Sequence, residues 1–297
     1  MDEEKIRELA ACRLLAEQAY IDRNIILNVK VQIARLRGLC IEVRSEPEYY
    51  ETFILLAARA EIRGAAANSH MSVLRRKRET AGELAKYYDF EKMIADYSGG
   101  VRFSGHGYYD RGLEDADTNA VFGGIANLLK VLEDLGHKAL VNSGTLLGLV
   151  RDKKLITYDD DIDLAVVLKS RGELYAAREF CALVEQLNEK GIDCTLRAGN
   201  NAMIKLPDLD GFEVDLFPAY GTMRRYSIYP YAPGTLKYND VFPLQTCDIS
   251  GLPLPASRET LLEQNYGKSW EVPDPRFVFD WPRQKRKFAR LIQEIAA

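Results

Sequence analysis

Hydrophobic positions follow two rhythms along this chain, and the change of rhythm divides it. In the first part they recur at helical spacing. Leu14, Ile21, Ile25, Val29, Ile33 and Leu36 lie three, four or seven residues apart, which predicts one apolar stripe along a single long helix. After Pro47, PEYYETFILLAARAEIRG predicts a second helix, and a third is expected from about Ser72 to Tyr88. Ser98, Gly99 and Gly100 mark an end, with SGHGYYDRG reading as loop beyond it. Residues 1–97 are therefore expected to form a helical N-terminal subdomain, 98–118 a linker and 119–297 a separate domain.

From about residue 118 the rhythm alternates between helix and strand. TNAVFGGIANLLKVLEDLG predicts an amphipathic helix closed by Gly136, KALVN a short strand, and SGTLLGLVRDK a turn into a short helix. IDLAVVL has the apolar run of a buried strand, GELYAAREFCALVEQLNEKG is helical again, and CTLRAGNNAMIKLPDLDGFEVDLFPAY predicts three strands divided by AGNN and PDLDG turns. A Tyr-, Pro- and Gly-rich stretch leads to a last helix, PRQKRKFARLIQEIAA, starting at Pro282. Helices interleaved with hairpin-joined strands predict an α/β (α+β) domain with a mixed sheet flanked by helices.

Charge and composition narrow the field. With 40 basic and 44 acidic side chains the formal net charge is −4, so the overall field attracts neither nucleic acid nor an anionic membrane. Residues 1–97 hold 16 of each sign and no catalytic constellation. The five cysteines lie far apart with no zinc-type spacing, which predicts free thiols and a cytoplasmic setting. The acidic start MDEEKIREL and the lack of a long apolar run argue against export or a membrane span.

The chemistry concentrates around YDDDIDLAVVL, where Asp159, Asp160, Asp161 and Asp163 press four carboxylates against a buried strand. Residues two apart on a strand share a face, so Asp161 and Asp163 point one way while Ile162 and Leu164 point into the core. Paired rigid carboxylates suit Mg²⁺ or Mn²⁺. Asp215, between Val214 and Leu216, completes a three-carboxylate set if its strand is a neighbour, and such a set binds two ions for in-line displacement at phosphate. Ser143, Gly144 and Thr145 sit between a strand and a helix start, a candidate phosphate seat. Arg151, two helical turns beyond Gly144, and Lys205 are candidates to neutralise phosphate oxygens. Each feature alone also fits an ordinary solvated turn or strand-edge charge. Together, a Gly–Thr turn, an Asp-x-Asp strand about 15 residues later and a third strand Asp about 50 residues beyond form the layout of nucleotidyltransferase folds.

SGTLLGLVRDKKLITYDDDIDLAV resembles the LicD/fukutin-related family, whose members read close to GTLLG-x-x-R followed by [WY]-D-D-D-x-D. VDLFP and VFPLQTCDISGLPLPASRETLLEQNYGKSW resemble its later blocks, so the likeness spans about residues 120–282. Thr157-Tyr158 stands where the family often has Pro-Trp, and the membrane anchor and zinc cysteines of eukaryotic members are missing, as in a bacterial cytosolic member. The resemblance implies a metal-dependent phosphotransferase that moves phosphocholine, ribitol phosphate, glycerol phosphate or a similar group from a CDP-activated alcohol to a glycan hydroxyl, releasing CMP, in cell-surface polysaccharide biosynthesis. Carried over by position, Asp161, Asp163 and Asp215 would hold the metal, Asp215 would help deprotonate the acceptor, and Gly144, Thr145 and Arg151 would engage donor phosphates.

The alternative is nucleotidyl transfer, placing NMP on a protein, RNA or small molecule, and a non-catalytic glycan-binding protein is a third reading. Which alcohol is moved stays open. Tyr226, Tyr229, Tyr231 and Tyr238 supply rings for a quaternary-ammonium cage, yet their spacing equally suits packing. His70, His106 and His137 are isolated and are given no role. RRKR (75–78) and RQKRK (283–287) read as solvated helix faces, or as contacts with an anionic inner-membrane face carrying a lipid-linked glycan acceptor. The N-terminal stripe must be buried on the second domain or on another copy, which allows a homo-oligomer.

Overall fold

The computed structural model describes residues 3–98, 102–103, 108–109, 112–113, 116–156, 159, 161–198, 201–209, 211–274, 277 and 279–297. His106, Thr157-Tyr158 and Asp160 lie outside them. The chain divides into two compact units, Met1–Asp110 with Asp274–Phe279, and Arg111–Pro273 with Asp280–Ala297.

The first unit is built from α1 (Glu3–Ile21), α2 (Val29–Arg37), α3 (Pro47–Arg59), α4 (Gly64–Thr80) and α5 (Leu84–Tyr97), with a small antiparallel pair, β1 (Arg102–Phe103) and β2 (Tyr108–Tyr109). The long helix expected at the N-terminus is two helices. The Asp22 carboxylate accepts from the Asn24 N–H at 2.9 Å, and Asn28 caps α2 by accepting from the Val31 N–H at 3.2 Å. The stripe consequently fails at Leu14, which is 58% exposed. Helix α1 instead buries Leu9, Cys12, Ala16, Ala19 and Tyr20, and its alanines let it approach α3 closely. Helix α3 buries every residue from Phe53 to Ala58, so it is the centre of this core. The third expected helix is likewise two, because Gly82, at φ +72°, ends α4 as the Glu83 N–H bonds back to the Arg78 carbonyl at 2.7 Å.

RRKR is not wholly a solvated face. Arg78 is buried, and its guanidinium reaches Glu51 at 2.9 Å, Glu48 at 3.2 Å and Glu83 at 2.5 Å. Glu51 also receives Arg13 at 2.9 Å.

In the second unit Asp117 caps α6 (Thr118–Asp134), which closes at Gly136 with φ +81°. There follow β3 (Lys138–Val141), α7 (Ser143–Leu147), a wider π-type turn over Gly148–Asp152, β4 (Asp161–Arg171), α8 (Glu173–Glu189), β5 (Thr195–Leu196), β6 (Ile204–Leu209), β7 (Phe212–Gly221), β8 (Tyr226–Ile228), β9 (Ala232–Leu236), α9 (Tyr238–Val241), β10 (Gln245–Thr246), β11 (Pro253–Leu254) and α10 (Arg258–Tyr266). The expected final helix is broken into α11 (Trp281–Lys287) and α12 (Ala289–Ala296) at Phe288, which leaves the helical path and packs edge-on to Tyr229 with ring centres 5.1 Å apart. Helix α12 packs on α8 through Leu291, Ile292 and Ile295.

The sheet runs β3-β4-β7-β6-β5. Strands β4 and β7 are parallel, with α8 in the connection between them, and their other neighbours are antiparallel. The outer edge of β7 is divided: β6 pairs with Phe212–Leu216, and β8, followed by β9, pairs with Ala219–Gly221. This mixed sheet with flanking helices is the α/β (α+β) architecture that the alternating pattern predicts. Strand β4 is buried on both faces from Asp161 to Val166, which explains its nearly unbroken apolar run.

Candidate metal and phosphate site

Register decides the site. Strands β4 and β7 pair Asp161 with Glu213 and Asp163 with Asp215, so D-I-D on one strand faces E-V-D on the next. In-register neighbours project to the same face. Asp161, Asp163 and Asp215, all buried, each offer an oxygen within 4.8 Å of the others. The opposite faces of the same strands carry Ile162, Leu164, Val214 and Leu216, each fully buried, and that core holds the strands in this register.

Strand β6 brings Lys205 opposite Asp215. Its ammonium lies 2.7 Å from Asp215 Oδ1 and 2.7 Å from Glu213 Oε2. Burial works against that charge, but the pairing with Asp215 and Glu213 outweighs it and raises the lysine above its ordinary range. Sequence reading offers Lys205 to a phosphate; the structure puts it among the carboxylates. Glu213 is absent from the residues singled out in the sequence, although its spacing from Asp215 repeats that of Asp161 and Asp163.

The turn at Ser143–Thr145 is tied to Asp163 at three points. The Asn142 N–H donates to the Asp163 carbonyl at 3.0 Å, the Gly144 N–H donates to Asp163 Oδ2 at 2.8 Å, and the Asp163 N–H donates to Thr145 Oγ1 at 2.9 Å. Of the groups proposed from sequence for a phosphate, the Gly144 N–H thus holds the Asp163 carboxylate and the Thr145 hydroxyl holds the Asp163 backbone. Ser143 adopts φ +36°, an uncommon conformation for a side-chain-bearing residue. Its N–H donates to the Tyr231 hydroxyl at 3.3 Å, and that hydroxyl donates to Asn142 Oδ1.

The two glycines of GTLLG have distinct reasons. A Cβ on Gly144 would stand 2.3 Å from Asp159 Oδ2 and 3.3 Å from Asp163 Oδ2, so the acidic run can fold over the turn only if that position is bare. A Cβ on Gly148 would stand 2.6 Å from the Lys154 carbonyl oxygen and 2.9 Å from the Ile156 nitrogen, both backbone atoms. Gly148→Ala is therefore expected to lower unfolding free energy by about 1–3 kcal/mol, the usual cost of overpacking. Chemical denaturation of the purified variant measures it, and an unchanged midpoint would mean that the loop moves aside freely.

Arg151 does not sit two regular turns above Gly144. Helix α7 ends at Leu147 and the chain widens through the π-type turn, where both prongs of the Arg151 guanidinium meet Asp152 at 2.7 Å. The tyrosine group does not form an open cage: Tyr226, Tyr229 and Tyr231 are buried, and Tyr238 is 63% exposed. Tyr229 packs with Phe217 and Trp281 as well as Phe288.

Tyr266, at the end of α10, belongs to the neighbourhood that sequence reading leaves out. Its phenol is held well above the ordinary range, first by desolvation and then by the nearby Asp163, with the Tyr231 phenol and the Asp159 and Asp161 carboxylates adding to the effect. The Tyr-Gly-x-x-Trp block that contains it was the available signal. His70 stacks on Phe53 with ring centres 4.4 Å apart, and His137 is buried beside Glu179, so both are packing residues.

The donor set suits a hard divalent cation. Three buried carboxylates with interacting negative charge, offset by Lys205, provide oxygen ligands and a reason to attract a cation. Comparison with known proteins points the same way. Residues 136–259 match the family model described as LicD/FKTN/FKRP, nucleotidyltransferase domain, a stretch containing every site residue named from the sequence. No curated protein gives a significant match. Over residues 136–259 the chain is thus similar to the LicD/fukutin-related family, a likeness that points to a transferase.

Proposed function

We propose that the protein transfers a phospho-alcohol group, such as phosphocholine, ribitol phosphate or glycerol phosphate, from a CDP-activated donor to a glycan or lipid-linked glycan hydroxyl. The observation that carries this reading is the in-register pairing of Asp161 and Asp163 with Glu213 and Asp215 inside a LicD-type domain. A divalent cation, Mg²⁺ or Mn²⁺, held by Asp161, Asp163 and Asp215 would offset donor phosphate charge and polarise the phosphorus under attack. The acceptor oxygen forms a bond to the phosphorus bearing the alcohol, the bridging phosphoanhydride bond breaks, and CMP leaves with the bonding electrons. Asp215 takes the acceptor proton and returns it to solvent. The Gly144 N–H and Thr145 hydroxyl fix Asp163, so its oxygens are oriented before the donor arrives.

The acceptor need not bring the protein into a membrane. Among the described residues no helix is long and apolar enough to cross one. Exposed Arg283, Arg286 and Lys287 on α11 offer a basic contact for an anionic lipid face bearing the acceptor.

Incubation with CDP-choline, CDP-ribitol and CDP-glycerol, each with Mn²⁺ and a glycan acceptor, tests the reaction. One donor should release CMP and add a phospho-alcohol to the acceptor. Pyrophosphate release from a nucleoside triphosphate, with NMP on the acceptor, would establish nucleotidyl transfer instead.

A further inference from the structure

We propose that the site takes a single divalent ion, and that the Lys205 ammonium fills the seat of a second. This rests on the metal-dependent reading above and replaces the two ions that the acidic pattern alone suggests. Two sheet neighbours on one face would otherwise make two cation seats. Asp161 and Asp163, with Asp215, surround one. Glu213 and Asp215 bracket the other, and it is here that the positive charge of Lys205 lies, 2.7 Å from an oxygen of each.

An ammonium held between two carboxylate oxygens does what a cation in that position would do. It cancels charge on Asp215 and fixes its orientation. It also repels a metal ion approaching the same oxygens, since both would share Asp215 at contact distance. Delivery is built into the sheet: Lys205 is the register partner of Asp215 on β6, so its stem starts beside the acid that it neutralises. With only 20% of the side chain exposed, most of that stem is covered. A methionine of similar length can follow the same path without the charge.

Counting bound Mn²⁺ decides the matter. Full-length protein is titrated with Mn²⁺ in the presence of saturating CDP, and free ion is read by electron paramagnetic resonance. Wild type should bind one ion per chain, Lys205→Met two, and Lys205→Arg, which keeps the charge, one. Two ions on the wild type, or one on a folded Lys205→Met, would overturn the inference and leave the metal-dependent reading standing. No Mn²⁺ on wild type or either variant would overturn both. The wild-type count alone can refute the proposal even if Lys205→Met does not fold.

Discussion

Asp161→Asn is expected to lower transfer by at least about a thousandfold while leaving the protein folded and no less stable. The loss follows from the role proposed for the cluster: a bound ion contributes several kcal/mol of charge stabilisation in the transition state, and each ~1.4 kcal/mol is a factor of ten. Stability is kept because Asp161 is buried among like charges, with partner oxygens within 4.8 Å. At about 4 Å, two unit charges repel by roughly 4 kcal/mol at an effective dielectric near 20. Lys205 pairs with Asp215 and Glu213 rather than Asp161, so an amide at 161 removes repulsion without stranding that ammonium. Activity assays and melting curves with Mn²⁺ or excess chelator check both halves. Mn²⁺ should raise the wild-type melting temperature and leave the variant nearly unchanged. Full turnover by Asp161→Asn, or by wild type in chelator, would rule out a metal-dependent site.

Arg78→Ala should be the most damaging change to a charged residue in the RRKR run, at about 3 kcal/mol. Arg78 is 6% exposed and spans Glu48, Glu51 and Glu83, so truncation leaves three carboxylates short of their shared cation. Breaking a buried ion pair by removing one partner typically costs ~3–5 kcal/mol, because the other charge is left in a poorly hydrated place. The lower end applies because Arg13 still reaches Glu51 at 2.9 Å. Denaturant unfolding of full-length protein measures the loss, and Arg78→Lys should recover part of it. A midpoint equal to wild type would show that the carboxylates relax into water at no cost.

Legibility differed between the units for a physical reason. In β4 and β7 the alternation of acid and aliphatic residues is the structural instruction itself, since one set must face the core. Placing Asp215 beside Asp163 needed something local pattern does not contain, namely that β7 returns parallel to β4 with no offset. Gly144 stood out as a turn glycine, but the group it makes room for is a carboxylate from the acidic run. In the N-terminal unit the apolar spacing continues arithmetically across residues 22–28, while Asp22 and Asn28 turn the backbone there. The contacts that replace the stripe use Ala16 and Ala19, which a search for large apolar residues passes over. Arg78 misleads for the complementary reason: its neighbours in sequence are basic, and its acidic partners Glu48 and Glu51 come from another helix.

The zero offset between β4 and β7 also sets where the gene can change length. Some fifty residues separate Asp163 from Asp215, yet the site depends only on which positions sit side by side at the two ends. Insertions in the bend after α8 or in the hairpin tip between β6 and β7 lengthen the detour and leave the ladder aligned. A single residue added within β4, between Asp161 and Asp163, would send one of the two carboxylates into the layer now filled by Ile162 and Leu164. Duplication of a loop codon and duplication of a strand codon should therefore have opposite fates: the first is absorbed as variation among descendants, the second removes the chemistry in one step.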